Sequence, residues 1–395
     1  MAPPLIQGAH PQYRVQITHM NKKIRSGKLG FIWNRWVFRK KTTPYLIGLI
    51  FIISTAFHSE ELRSQDLLFT QKYANPTNFN PSMAGVYDAL YRITVQHRTQ
   101  WNSVLDHAYK SYGLSGDARL EIGRDRNQMD AFSIGLIFLS DKVDRFDFSM
   151  TQISLAGAFH KNLGGEHTNY LSAGLSLGMR QQNINYENLR FQDMFDGTSD
   201  FTFNTSEILP ENNFSYPDLN LGITFSHRQR NGIRFNAGAS ILHVLRPDLS
   251  FYQNEDNPAY IGEDEYLINR NIIGHVSVET EVFPRFWLSP RAVASFHGPH
   301  HSFFFGTGSR LLISDSRASF LHFGLFGRVT NRLDEYKFRD LALLMGFEIE
   351  GIRLGLSYDL SLDDLSHYSQ RQGIFELSIT IMGEYTNEND LCPQF

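Results

Sequence analysis

Cysteine is almost absent: Cys392 is the single one in 395 residues. This excludes an intrachain disulfide framework and any multi-cysteine metal site, and leaves export open. Long apolar runs are also missing. Mean hydropathy is -0.30, and the apolar run Tyr45–Phe57 falls short of the ~20 residues a helix needs to span a bilayer, so a helical transporter is excluded. Helical periodicity cannot be found anywhere in residues 65–395. No His-Glu-x-x-His occurs, and no Gly-rich phosphate cradle opens a helix. Charged residues are only 20%, but hydrophobics at 42% and aromatics at 13% are too plentiful for a disordered chain. A membrane barrel alternates lipid-facing and lumen-facing residues, so its average composition resembles that of a soluble β protein.

The net charge of -4 hides an uneven distribution. Residues 1–64 hold 10 Lys and Arg against 2 Asp and Glu; the remainder holds 27 against 39. The acidic body speaks against nucleic acid as a partner. The basic head, Lys22 to Lys41, precedes the Tyr45–Phe57 run, and small residues Ser54, Thr55 and Ala56 close that run. This pattern predicts a signal peptide in residues 1–64, cleaved between Ala56 and Gln65, with Met20 as an alternative start and an uncleaved anchor as the other reading. The consequence is export across a bacterial inner membrane.

Period-2 alternation fills the body. Leu171, Ala173, Leu175, Leu177 and Met179 oppose Ser172, Gly174, Ser176, Gly178 and Arg180. Ile352, Leu354, Leu356, Tyr358 and Leu360 oppose Arg353, Gly355, Ser357 and Asp359. A second face rich in Gly and Ser suits a crowded lumen, whereas a solvated sheet carries more Lys and Glu. About fourteen such segments are predicted, near 89–101, 110–120, 130–139, 149–161, 168–182, 217–228, 232–243, 269–283, 285–296, 300–313, 319–329, 338–349, 352–361 and 372–383. The expected fold is all-β, a transmembrane antiparallel barrel of about 14 strands over 89–383. Residues 65–88 are expected as a lumen plug or a periplasmic segment, and 384–395 as a tail. With a periplasmic N-terminus, the two longest connections, about 183–216 and 244–268, both face outside, while short ones such as Glu350-Gly351 face inside. Long outside and short inside is the outer-membrane pattern, and a soluble sandwich or propeller has no reason to follow it.

The start QDLLFTQKYANPTNFNPSMAG, with Asn80, Pro81, Ala84 and Gly85, resembles the opening of the PorP/SprF family of Bacteroidetes outer-membrane proteins. Further similar elements are Arg98, Gln100 and Trp101; LSDKVDRF; GASILHVLRPDLSF with His243, Arg246 and Pro247; LSYDLSLDDL with Tyr358 and Asp359; and the terminal Cys392-Pro393-x-Phe395. Together they cover essentially all of 65–395. The resemblance implies a part in the type IX secretion system and, in some members, gliding motility. The partners it implies are outer-membrane lipid, periplasmic and outer-membrane secretion components, and a secreted surface protein with a C-terminal sorting domain.

The residues themselves admit plainer readings. Asn80-Pro81 and Ala84-Gly85 are turn chemistry, or they dock a partner or position a plug. Arg246 either grips a cargo carboxylate bidentately or pairs with a wall Asp. Asp359 is expected to face the lumen and meet an Arg there, with Tyr358 in the aromatic girdle. His297, His300 and His301 lack the Cys or Glu partner of a convincing metal site. No cofactor is implied. The long loops carry Tyr186, Phe191, Phe195, Phe201, Phe203, Phe251, Tyr252 and Tyr260, which suit a protein interface or fold over to close the barrel. The expected function is a non-enzymatic outer-membrane component that secretes or anchors a partner. A diffusion channel for small or apolar solutes is the alternative.

Overall fold

In the computed structural model, fourteen antiparallel strands close on themselves in sequence order, the first pairing with the last. The described residues are 69–100, 109–122, 130–143, 148–164, 168–187, 189–198, 200–201, 204–207, 209–229, 232–251, 267–332, 335–362 and 373–383. The signal segment expected in 1–64, Trp101, and the tail 384–395 with Cys392 and Phe395 lie outside them. The strands are β1 (Tyr91–Gln100), β2 (Tyr109–Ile122), β3 (Asp130–Val143), β4 (Phe148–Asn162), β5 (Thr168–Ile184), β6 (Asn213–Arg228) and β7 (Arg234–Leu242). They continue as β8 (Asn271–Phe283), β9 (Phe286–His297), β10 (His300–Ser314), β11 (Ser319–Arg332), β12 (Glu335–Ile349), β13 (Ile352–Ser361) and β14 (Gly373–Gly383). The barrel architecture is therefore as predicted. Among the described residues no helix is long and apolar enough to cross a membrane.

Closure runs from Tyr91↔Gly383 to Gln100↔Ile374, so each of the fourteen strands has a paired neighbour on both sides. That is what a sheet in hydrocarbon requires, since lipid offers no partner for a free N–H or C=O. Along β5 the alternation sets the facing. Leu171, Leu175, Leu177 and Met179 are exposed outward, while Ser172 and Ser176 are buried inward. The outward face is what a lipid-facing wall needs, and the inward one is narrow and polar.

The rim holding Tyr91 and Gly383, here the terminal rim, carries short connections such as 284–285 and 350–351. The opposite, distal rim carries the longest, 185–212 and 243–270, together with 362–372. The distal rim also has two tight connections, 298–299 and 333–334.

The chain before β1 lies across the middle of the lumen. It forms three 3-10 turns, Lys72–Ala74, Pro76–Asn78 and Pro81–Met83. Phe79 packs in a buried cluster with Leu242, Ile273, Val293, Phe304 and Phe326 from the wall. A barrel of this size has an interior that side chains alone do not fill; this segment supplies part of the contents.

Candidate functional site

The lumen segment sits on a floor of small residues. Gly174 on β5 and Gly222 on β6 are register partners. A Cβ on Gly174 would lie 2.4 Å from the Ser82 nitrogen, and one on Gly222 would lie 2.0 Å from Asn80 Oδ1. Side chains at either position would exclude the Asn80–Met83 turn. Asn80 is fully buried. Its Oδ1 accepts from the Ser82 amide at 3.0 Å and the Ser82 hydroxyl at 2.7 Å, capping the turn that Pro81 opens. Its Nδ2 donates to Thr224 Oγ1 at 3.2 Å and approaches His275 Nε2 at 3.0 Å. Ala84 is fully buried, and Gly85 takes φ +71°, where a Cβ would strike Ser133 Oγ at 1.9 Å.

Buried carboxylates of the wall hold both ends of the segment. Glu376 on β14 accepts from the Thr70 amide at 2.7 Å and the Gln71 amide at 2.9 Å. Its nearest cation is Arg98 at 3.8 Å, which in turn donates to Gln100 Oε1 at 2.8 Å. Asp359 accepts from the Thr70 hydroxyl and lies 3.5 Å from Arg328. Arg328 also reaches Asp340 at 3.0 Å. At the other end, Asp117 takes the Gly85 amide at 2.7 Å and both Nε and Nη2 of Arg92 at 3.0 and 2.9 Å. Charges so deeply buried are tolerable only when paired and hydrogen-bonded in this way.

The lumen segment separates two spaces. On the terminal side is a chamber of about 1390 Å³ whose inner end is Lys72, Tyr73, Ala74, Pro76 and Met83. On the distal side is a pocket of about 50 Å³ beside Phe79, Gln152, Arg180 and Leu242. Eight Lys and Arg line the chamber against four Asp and Glu.

At the distal rim His243 is fully buried with φ +57°. Its amide donates to Asn220 Oδ1 at 2.9 Å, and its ring Nδ1 contacts Asp218 at 2.8 Å. Asp218 also faces Arg180 at 3.3 Å. Arg246, at φ +50°, donates from Nε to the Ile268 carbonyl at 3.4 Å, and the Pro247 carbonyl accepts from the Ile268 amide at 3.0 Å. Arg246 and Pro247 thus tie the outgoing and returning ends of the 243–270 connection together. Phe195 and Phe201 stand exposed with ring centroids 5.3 Å apart, whereas Phe251 packs edge-on against Phe214 at 4.7 Å. Phe203, Tyr252 and Tyr260 are outside the described residues. Asp193 organises the other loop, accepting from the Ser206 amide at 2.6 Å and from the Thr205 and Ser206 hydroxyls.

The motif residues therefore fall into two groups. Asn80, Pro81, Ala84, Gly85, Arg98, Gln100 and Asp359 belong to the lumen segment and its anchors; His243, Arg246 and Pro247 belong to the distal rim. Tyr358 faces outward, exposed on β13. His301 contacts the Tyr336 hydroxyl at 2.7 Å, and His297 lies beside His243 with ring centroids 5.7 Å apart. Among the described residues no group of His, Cys, Asp and Glu could hold a metal ion. The spacing Gly-x-Ser-x-Gly does occur, at Gly174 to Gly178, but it lies within β5, where Ser176 accepts from Asn220 at 3.1 Å. A nucleophile elbow needs a strand-to-helix turn.

Sequence reasoning missed Asp117, Arg180, Asp218, Arg328, Asp340 and Glu376. Each is buried on the inward face of its strand, where alternation places it, but no local pattern says what it pairs with.

Among solved structures, the CymD monoaromatic hydrocarbon channel is 10% identical with a TM-score of 0.44, covering 80% of this chain and 94% of that one. A Pseudomonas aeruginosa FadL homologue is 10% identical with a TM-score of 0.46, covering 77% and 92%. The Ralstonia pickettii toluene transporter TbuX is 9% identical with a TM-score of 0.43, covering 77% and 92%. No curated protein matches the sequence. Residues 61–381 match the family described as type IX secretion system membrane protein PorP/SprF, and the chain belongs to that family.

Proposed function

We propose that the protein is a non-enzymatic outer-membrane component of type IX secretion, taking part in the secretion or surface anchoring of a partner protein that carries a C-terminal sorting domain, with gliding motility as a linked process. Family membership supports the secretion role. The observation that carries the anchoring role is the obstructed lumen beneath a built-up distal rim. The Phe69–Leu90 segment occupies the interior, while the two longest connections stand on one rim with the Phe195–Phe201 pair exposed. Loops on a rigid scaffold are where binding concentrates. A diffusion channel needs a clear path, and here a buried, multiply hydrogen-bonded segment lies across it.

The test is affinity purification from intact outer membranes followed by mass spectrometry, with and without replacement of residues 189–209 by a short Gly-Ser link. A secreted protein should accompany the wild type and be lost from the variant. Equal recovery with both, or steady bilayer conductance from the purified wild type with no accompanying protein, would sink the anchoring reading.

A further inference from the structure

The chamber at the terminal rim has a built inner wall that the distal-rim reading does not use. Across β7 and β8, Arg234 stands opposite Glu279; across β10 and β11, Arg310 stands opposite His322; across β12 and β13, Glu348 stands opposite Arg353. Each carboxylate serves more than one partner. Glu279 meets Arg234 at 3.4 Å and Arg310 at 3.0 Å; Glu348 meets Arg353 at 2.7 Å and His322 at 2.8 Å. Between these groups, on β9, stands Arg291. It has no hydrogen bond or ion pair with any described residue, and its guanidinium lies over the ring of Tyr73 in the lumen segment, 4.6 Å from the centroid. Glu279 attracts it from a distance, and Arg353 and Arg310 oppose that attraction more weakly.

Seven neighbouring strands thus carry a belt in which cations outnumber carboxylates, and the carboxylates present are already shared. The surplus positive charge calls for anions from outside the fold. The form of the belt says which kind. Adjacent strands are ~4.8 Å apart and residues along a strand ~3.3 Å apart, so Arg291, one strand and four register positions from Arg310, is roughly 14 Å from it, and Arg353 lies three strands beyond Arg310, about 14 Å further along the wall. One phosphate or small carboxylate cannot reach all three. An extended peptide rising ~3.3 Å per residue, with acidic side chains a few residues apart, can. The chamber is also larger than the ~300–1,000 Å³ of ordinary small-molecule sites. Arginine suits the task, since its planar fork binds carboxylates bidentately.

We propose that the terminal-rim chamber is the binding site for a carboxylate-rich segment of a partner protein, received by Arg291, Arg310 and Arg353. The inference holds whether or not the distal loops bind cargo.

The experiment uses the full-length protein in detergent and a fluorescein-labelled peptide with Glu at alternate positions, read by fluorescence anisotropy. The matched peptide carries Gln in place of Glu. The Glu peptide should bind at least about tenfold more tightly than the Gln peptide, and its affinity should fall as salt shortens the Debye length. Arg291→Gln combined with Arg353→Gln should weaken it at least about tenfold, and Arg291→Lys with Arg353→Lys should restore part of the loss. Heat-modifiable mobility on gels separates loss of binding from loss of folding. Equal binding of both peptides, wild-type affinity in the Gln variant, or displacement by millimolar inorganic phosphate as effective as unlabelled Glu peptide would overturn the proposal. So would a tenfold gain in affinity on removing residues 384–395, because the chain's own acidic tail would then be the occupant.

Discussion

Gly174 lies against the Ser82 backbone so closely that a Cβ at this position would sit 2.4 Å from the Ser82 nitrogen and 2.6 Å from its Cα. Backbone atoms in a capped turn cannot move aside as a side-chain tip can. Gly174→Val is therefore expected to expel the lumen segment while leaving the strand ladder of β5 intact, since Val suits a strand. Limited trypsin digestion checks this. The Lys72-Tyr73 bond should resist cleavage in the folded wild type and be cut rapidly in the variant, while heat-modifiable mobility persists. Continued protection of that bond would show that the segment does not depend on the glycine floor.

Glu376 is the second anchor, and it acts through charge. Two backbone amides and Arg98 converge on one buried carboxylate. Glu376→Ala leaves the two amides without an acceptor and removes the carboxylate facing Arg98, which among the described residues keeps only Gln100 Oε1. Breaking a buried pair from one side costs ~3–5 kcal/mol, so the expected result is a loss of that order in urea unfolding in detergent. Glu376→Gln keeps an acceptor oxygen and should lose less. A change below about 0.5 kcal/mol, the usual effect of a surface substitution, would contradict the anchoring role.

Legibility in the sequence divides along the same line. The strands were readable because period-2 alternation is local. The segment 352–361 has the same bounds in sequence and structure, and the others differ by a few residues. β6 was expected from 217, but the strand begins at Asn213, with Phe214 and Tyr216 buried on the inner face. The anchors were not readable, because no spacing rule connects Thr70 with Glu376, 306 positions away. Turn chemistry at Asn80-Pro81 was visible; that the turn rests on Gly174 and Gly222 is set by register alone.

The 185–212 loop should respond to acid. Asp193 has its carboxyl held below the ordinary value of 3.8, chiefly by the Ser206 amide, against some opposing desolvation, with the Ser206 and Thr205 hydroxyls adding to the effect. A depressed carboxyl stabilises the fold above its unfolded pKa and loses that contribution as pH falls through the folded value. Loop order should therefore be complete at neutral pH and decline only below the ordinary carboxylate range. The amide protection factor of Ser206, measured by hydrogen exchange against pH, should fall in that window. Asp193→Asn should show low, pH-independent protection. A wild-type protection factor constant down to pH ~2 would remove Asp193 from the role.

The outward face of β5 gives the most direct test of its surroundings. Leu175 lies mid-strand and is 52% exposed, while its neighbour Ser176 is buried facing inward. In water an exposed leucine replaced by arginine changes stability by only about 0.5 kcal/mol in either direction. At the midplane of a bilayer the same change on a barrel exterior costs ~2–4 kcal/mol, falling towards ~0–1 near the interfaces. Leu175→Arg is therefore expected to lose ~2–4 kcal/mol in lipid-vesicle unfolding, whereas Met179→Arg, four positions nearer the distal rim, should lose less. That gradient along one strand arises from hydrocarbon depth, because both side chains project from the same face. Equal, small effects at the two positions would mean that this face meets water, and the membrane-spanning assignment of the barrel would fall with it.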